Sequence, residues 1–129
     1  MVAVDTNVLV RLLTNDHAAQ AARAAGVFRT LPVFVPKTVL LETEWVLRYS
    51  YRLTTPAIAG SFLGLIGLPG VTVEDVTAVH FAIRLLEQGI EFADALHLAS
   101  STGAERFVTF DAKLVKRARK LAPMPVTLA

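Results

Sequence analysis

The run Met1-Val-Ala-Val-Asp5-Thr6-Asn7-Val-Leu-Val-Arg-Leu-Leu13 changes its period at one residue. Up to Asp5 it is a short apolar stretch suited to a buried strand. Beyond Asp5, Val8, Leu9, Leu12 and Leu13 recur at the spacing of one helix face. Asp5 therefore stands where a strand becomes a helix, and in open α/β sheets ligands bind at that edge, outside the carboxyl ends of the strands. The same succession returns late in the chain, where Arg106 to Phe110 reads as a strand and Asp111 begins a helix to about Leu121.

Between these points short strands alternate with helices. Asn15 or Asp16 can cap an alanine-rich helix through Phe28, with Ala18, Ala22, Ala25 and Phe28 as its expected buried stripe, and Leu31-Pro32 breaks it. Val33-Phe34-Val35 predicts a strand, and Pro36 leads into a helix from Lys37 to about Ser50. Pro56 opens an uncharged helix to about Leu68, Pro69-Gly70 turns the chain, and Val71-Thr72-Val73 reads as another strand. Asp75 is expected to cap a helix to about Gln88, with Val76, Val79, Ile83 and Leu86 on one face and Gly89 as its stop. Asp94 is expected to open a helix ending near Gly103, and Val126-Thr127-Leu128 forms a last strand after Pro123 and Pro125. This alternation predicts one α/β domain over residues 1–129, with a mostly parallel central sheet of four or five short strands and helices on both faces.

The composition narrows the chemistry. A hydrophobic fraction of 53% and a mean hydropathy of +0.51 imply a sheet covered on both sides, or an apolar surface that a partner covers. The chain has no cysteine, so disulfides, thiolate metal sites and cysteine nucleophiles are excluded, in keeping with a cytoplasmic protein. A net charge of +2 does not by itself imply nucleic-acid binding, but Lys113, Lys116, Arg117, Arg119 and Lys120 place five cations within eight residues. They read either as a solvated helix face or as a guide for a nucleic-acid backbone. The uncharged stretch Leu53 to Val73 is long enough to cross a membrane, but Pro56 and Pro69 leave twelve apolar-rich residues between them, so a buried helix is expected. Asp5 and Arg11 interrupt the first apolar run, which therefore does not read as a signal peptide.

Asp5, Asp94 and Asp111 each suit a helix cap when taken singly. Glu42 is more informative. On the helix from Lys37 it shares a face with Val39, Val46 and Tyr49, which is expected to point inward, whereas Glu44 pairs with Arg48 at i,i+4 on a solvated face. A carboxylate facing inward is costly unless something positive meets it. Asp5, Glu42, Asp94 and Asp111 gathered together would repel one another unless a divalent cation held them, and an all-oxygen set points to Mg²⁺ or Mn²⁺.

Asp5-Thr6-Asn7 after the first strand, Glu42-Thr-Glu-Trp45-Val-Leu, Phe92-Ala-Asp94-Ala-Leu-His-Leu-Ala and Val108-Thr109-Phe110-Asp111 resemble the successive acidic motifs of PIN-domain ribonucleases. The Glu-x-x-Trp-Val-Leu form is similar to the VapC toxins of type II toxin–antitoxin pairs. The resemblance spans nearly the whole chain and implies a three-layer fold and a metal-dependent endoribonuclease that inhibits translation. Its metal-binding carboxylates match Asp5, Glu42, Asp94 and Asp111, and its small supporting polar residues match Thr6, Asn7 and Thr109. Many members carry a further acid or an aromatic after the last aspartate, where this chain has Ala112, Lys113 and Leu114, so one metal ion or two stays open. The resemblance also implies a homodimer, a cognate antitoxin whose tail covers the site, and a tRNA or rRNA substrate.

On this reading water activated by the metal hydrolyses an RNA phosphodiester. Asp5, Asp94 and Asp111 hold the main ion, and Glu42 holds a second ion or orients the water. Lys113, Lys116, Arg117 and Arg11 are candidate contacts to the RNA backbone. Trp45, Tyr49 and Tyr51 either stack on bases or pack in the core or a partner's groove, and Phe62, Leu63, Leu65 and Ile66 suit core or an oligomer interface. His97 reads as a structural residue, and His17 and His80 receive no role. Two alternatives stand beside the nuclease. One is a non-catalytic RNA-binding or scaffold domain. The other is a haloacid-dehalogenase-like phosphohydrolase, which would need a second aspartate where Asn7 stands.

Overall fold

The computed structural model describes residues 1–30 and 32–129. Of the expected break at Leu31-Pro32, Leu31 lies outside the described residues. The chain divides into two compact units, Met1–Val76 and Thr77–Ala129.

In the first unit the order is β1 (Val2–Ala3), α1 (Thr6–Thr14), α2 (Ala18–Thr30), β2 (Val33–Val35), α3 (Lys37–Tyr49), α4 (Thr55–Ile66) and β3 (Val71–Val73). The strands pair in parallel in the order β1-β2-β3, with Val2 opposite Val33, and Val33 opposite Val71. Parallel neighbours need long crossovers, which the helix pairs α1–α2 and α3–α4 supply. Val33 and Val35 of the central strand are fully buried.

The second unit contains α5 (Val76–Glu87), apart from its first residue, followed by α6 (Phe92–Ala99), β4 (Phe107–Thr109), α7 (Ala112–Ala118) and β5 (Val126–Leu128). Strands β4 and β5 pair in parallel, Phe107 opposite Val126 and Thr109 opposite Leu128. The α/β class and the parallel pairing hold, but the expected single sheet of four or five strands does not. Among the described residues five strands form a three-stranded and a two-stranded sheet. Alternation of strands and helices dictates parallel pairing, whereas the choice of neighbour is made by non-local contacts between ladders of only two or three residues.

Helix faces also differ from expectation. In α2 the buried residues are Ala21 and Ala24, while Ala18 and Ala22 are exposed. An alanine-rich helix offers several equivalent small-residue stripes, so its period does not select one. Its start is fixed by His17, whose Nδ1 accepts from the Gln20 N–H at 3.2 Å. Helix α3 buries Leu40, Thr43, Glu44 and Leu47; of the face expected to point inward, Glu42 and Tyr49 are exposed and Val39 and Val46 only partly buried. Val76 is likewise exposed, and α5 packs through Ala78, Val79, Ala82, Ile83, Leu85 and Leu86. Asp75 does not cap α5; it adopts φ 49° and its carboxylate accepts from Lys37 Nζ at 3.2 Å. Gly70 and Gly89 sit at φ 77° and 96°, the left-handed region that a glycine turn and a helix stop require.

Helix α4 begins on Thr54, whose hydroxyl accepts from the Ala57 N–H at 3.3 Å, and buries Ile58, Ala59, Phe62 and Leu65. Leu63 and Leu68 stay exposed. Among the described residues no helix is long and apolar enough to cross a membrane.

Candidate functional site

Asp5 is the N-cap of α1. Its Oδ1 accepts from the Val8 N–H at 3.1 Å and the residue is exposed, so the cap fixes one carboxylate oxygen and leaves the other facing solvent. The next residue, Thr6, is buried and donates its hydroxyl to Glu42 Oε1. This bond ties α3 to the start of α1. Glu42 is thus an exposed carboxylate held by a hydroxyl, not the inward charge its spacing suggested.

On α3 the acid that faces inward is Glu44. It is 7% exposed and accepts from Arg48 Nε at 2.7 Å, so the expected solvated pair is largely buried. Beside it the hydroxyl of Thr43 is buried without a hydrogen-bond partner among the described residues. Trp45 and Tyr49 follow Glu42 on the outer face, 59% and 62% exposed, with ring centroids 5.2 Å apart. Core packing is therefore excluded for both.

Asn7 and Asp5 border a groove of about 330 Å³ whose opposite wall is α2. Arg11 lines it too. Its Nη1 reaches Asp16 Oδ1 at 3.0 Å and the Tyr51 hydroxyl at 3.0 Å, and its Nε reaches Gln20 Oε1 at 2.7 Å. The Tyr51 hydroxyl donates to Asp16 at 2.7 Å; that bond, with those from Thr14 and Arg11, holds the Asp16 carboxyl below its usual range. The charge of Arg11 is matched within this network. Arg23 also lines the groove; it belongs to no motif in the sequence, although Gln20, Arg23, Ala24 and Val27 fall at the spacing of one helix face.

In the second unit Asp111 is the N-cap of α7. Its Oδ1 accepts from the Lys113 and Leu114 N–H groups at 2.9 and 3.1 Å, while its own N–H donates to Thr109 Oγ1 at 3.0 Å. Asp94 lies in the first turn of α6, which begins at Phe92 and ends at Ala99, earlier at both ends than expected. A pocket of about 180 Å³ is lined by Glu91, Asp94, Asp111, Lys113 and Arg117 among others. Burial raises the Asp94 carboxyl above its ordinary value, and the charges of Glu91 and Asp111 add to the rise while His97 opposes it. His97 is exposed, so it does not serve as a packed structural histidine. Arg117 donates to the Gly89 carbonyl at 3.3 Å, and Lys113 and Lys116 are exposed. Phe110, immediately before Asp111, is 91% exposed.

Among the described residues no group of three or more His, Cys, Asp or Glu side chains is gathered closely enough to hold a metal ion. The donors are nonetheless of one kind. Asp94 and Asp111 line one pocket, where burial and, after it, neighbouring acids disfavour the ionised Asp94; a divalent cation would offset this, and carboxylate oxygens suit Mg²⁺ or Mn²⁺. The sequence profile of the PIN domain family matches residues 2–120. No curated protein matches the chain.

Proposed function

The chain belongs to the PIN domain family, a nuclease fold, and from that premise we propose that it is a metal-dependent endoribonuclease, the toxin of a toxin–antitoxin pair that inhibits translation. The observation that carries the chemistry is the pocket that Asp94 and Asp111 both line, where burial, and after it the charges of Glu91 and Asp111, raise the Asp94 carboxyl. Asp5, Asp94 and Asp111 would hold Mg²⁺ or Mn²⁺ once drawn together by the ion, and Glu42 would hold a second ion or orient the attacking water. When bound, the metal neutralises phosphate charge and lets water act as a nucleophile at neutral pH. The two caps aim Asp5 and Asp111, and Thr6 fixes Glu42. Lys113, Lys116 and Arg117 lower the cost of bringing an RNA backbone to acidic side chains. The exposed Trp45–Tyr49 pair suits stacking on unpaired bases of a tRNA or rRNA. Exposed Leu63 and Leu68 suit a homodimer contact, and a cytoplasmic antitoxin would cover the acids.

The test is incubation of the purified chain with total cellular RNA, with Mg²⁺, Mn²⁺ or EDTA, followed by mapping of new ends. Discrete ends that require metal and vanish in Asp5→Asn support the proposal. Undiminished cleavage in EDTA, or full activity of Asp5→Asn, overturns it.

A further inference from the structure

We infer that the groove between α1 and α2 seats a backbone phosphate of the RNA strand and that Arg23 neutralises it. This rests on the nuclease reading and adds a positioning residue to it. The groove, about 330 Å³, lies at the small end of ligand cavities, which span roughly 300–1,000 Å³, and has room for about one nucleotide unit. One wall is formed by Asp5, Asn7 and Arg11, the other by Gln20 and Arg23.

The two guanidinium groups are not equivalent. Arg11 is matched by Asp16 and clamped by Gln20 and Tyr51. Arg23 is exposed and has no ion pair or hydrogen bond among the described residues, so its charge is uncompensated. The clamp has a second effect. Gln20 Oε1 is occupied by Arg11 Nε, which leaves the Gln20 amide nitrogen with two donors free for an acceptor. A groove that touches the carboxylate of Asp5 repels a phosphate unless a cation faces it, and Arg23 supplies that cation along with the amides of Gln20 and Asn7.

The test uses a single-stranded oligoribonucleotide. Its binding is measured against NaCl concentration in an Asp94→Asn background, which prevents cleavage and leaves the groove unaltered. Adding Arg23→Ala is expected to weaken binding about tenfold at low salt and to flatten the slope of log K against log salt by about 0.7, the value for one phosphate contact on a single strand. Arg23→Lys is expected to restore the slope. With Asp94 intact, Arg23→Ala is expected to raise KM while leaving kcat and the unfolding midpoint unchanged. Intact cleavage by the unsubstituted chain together with an unchanged slope in Arg23→Ala sinks the phosphate seat alone, including the case in which the groove takes an acidic peptide. A flattened slope with no metal-dependent cleavage by the unsubstituted chain sinks the nuclease reading alone.

Discussion

Removing the guanidinium of Arg48 probes the orientation of α3, on which the exposure of Glu42 depends. Glu44 is 7% exposed, and its carboxylate is met by Arg48 Nε at 2.7 Å. Arg48 also donates from Nη1 to Thr55 Oγ1 at 3.2 Å, at the start of α4. Arg48→Met keeps the aliphatic stem but strands the Glu44 carboxylate. Breaking a buried pair costs about 3–5 kcal/mol and breaking an exposed one about 0–1 kcal/mol. The Arg48 side chain keeps 28% of its surface in water, so solvent can reach part of the vacated space. An intermediate loss of about 2–3 kcal/mol is expected. At a urea m-value of about 2 kcal/mol per molar, the midpoint falls by about 1–1.5 M. The double variant Glu44→Leu/Arg48→Met removes both charges and should regain most of that loss, because apolar residues often replace a buried pair without penalty. The assay is urea unfolding followed by far-ultraviolet circular dichroism. A midpoint drop below about 0.3 M in Arg48→Met, or a double variant no more stable than the single one, would refute the reasoning. In that case Glu44 would face water and the inward face of α3 would be the one carrying Glu42.

Asp5→Asn and Asp5→Ala are both expected to lose cleavage but to differ in stability. Asparagine caps as well as aspartate, whereas alanine should cost about 1 kcal/mol in urea unfolding. Asp94→Asn is expected to stabilise the metal-free protein at neutral pH. The carboxyl is raised in the folded state above its ordinary 3.8, so the stability it contributes is complete below that value and is lost as pH rises through the folded value. Midpoints in EDTA should therefore coincide for wild type and Asp94→Asn at about pH 3 and separate by pH 7; equal midpoints at pH 7 would contradict the shift. Leu47→Ala, fully buried in α3, is expected to cost about 2–5 kcal/mol, whereas Trp45→Ala, on the exposed face, should cost less than about 1 kcal/mol. Similar losses would show that Trp45 is covered, as in a dimer.

What the sequence disclosed and what it hid separate by range. The change of period at Asp5 and at Asp111 is a local signal, and both residues are N-caps whose side chains accept from backbone N–H groups two or three residues on. The pairing of strands is non-local, so alternation announced parallel ladders but not that β1, β2 and β3 would close as one sheet and β4 with β5 as another. Helix α3 is the instructive case. Val39-Glu42-Val46-Tyr49 and Leu40-Thr43-Glu44-Leu47 are competing stripes, each with two aliphatic residues and an acid. A cation at i+4 reads as a sign of a solvated pair, yet Arg48 is what allows Glu44 to be buried, because a neutralised carboxylate can enter where a lone one cannot. A partner in sequence therefore argues for the inward stripe. The absence of a cation near Glu42 argues for the outward one.

That inversion changes what Glu42 can contribute. A buried, unpaired glutamate would resist ionising and would need a bound cation to exist at all. An exposed one, steadied by the Thr6 hydroxyl, stays in contact with water at little cost to the fold. The strain falls instead on Asp94, half-buried beside Glu91 and Asp111, where burial and like charge both disfavour the ionised form. A neutral asparagine of the same shape would fill that position with less penalty. A divalent cation at that position would offset both the burial and the repulsion, favour the ionised form of Asp94 and stabilise the folded chain on loading. Titrating Mn²⁺ into wild type and Asp94→Asn while following the unfolding midpoint separates the cases: a midpoint that rises in wild type only assigns the cation to Asp94, and parallel curves remove Asp94 from the metal site.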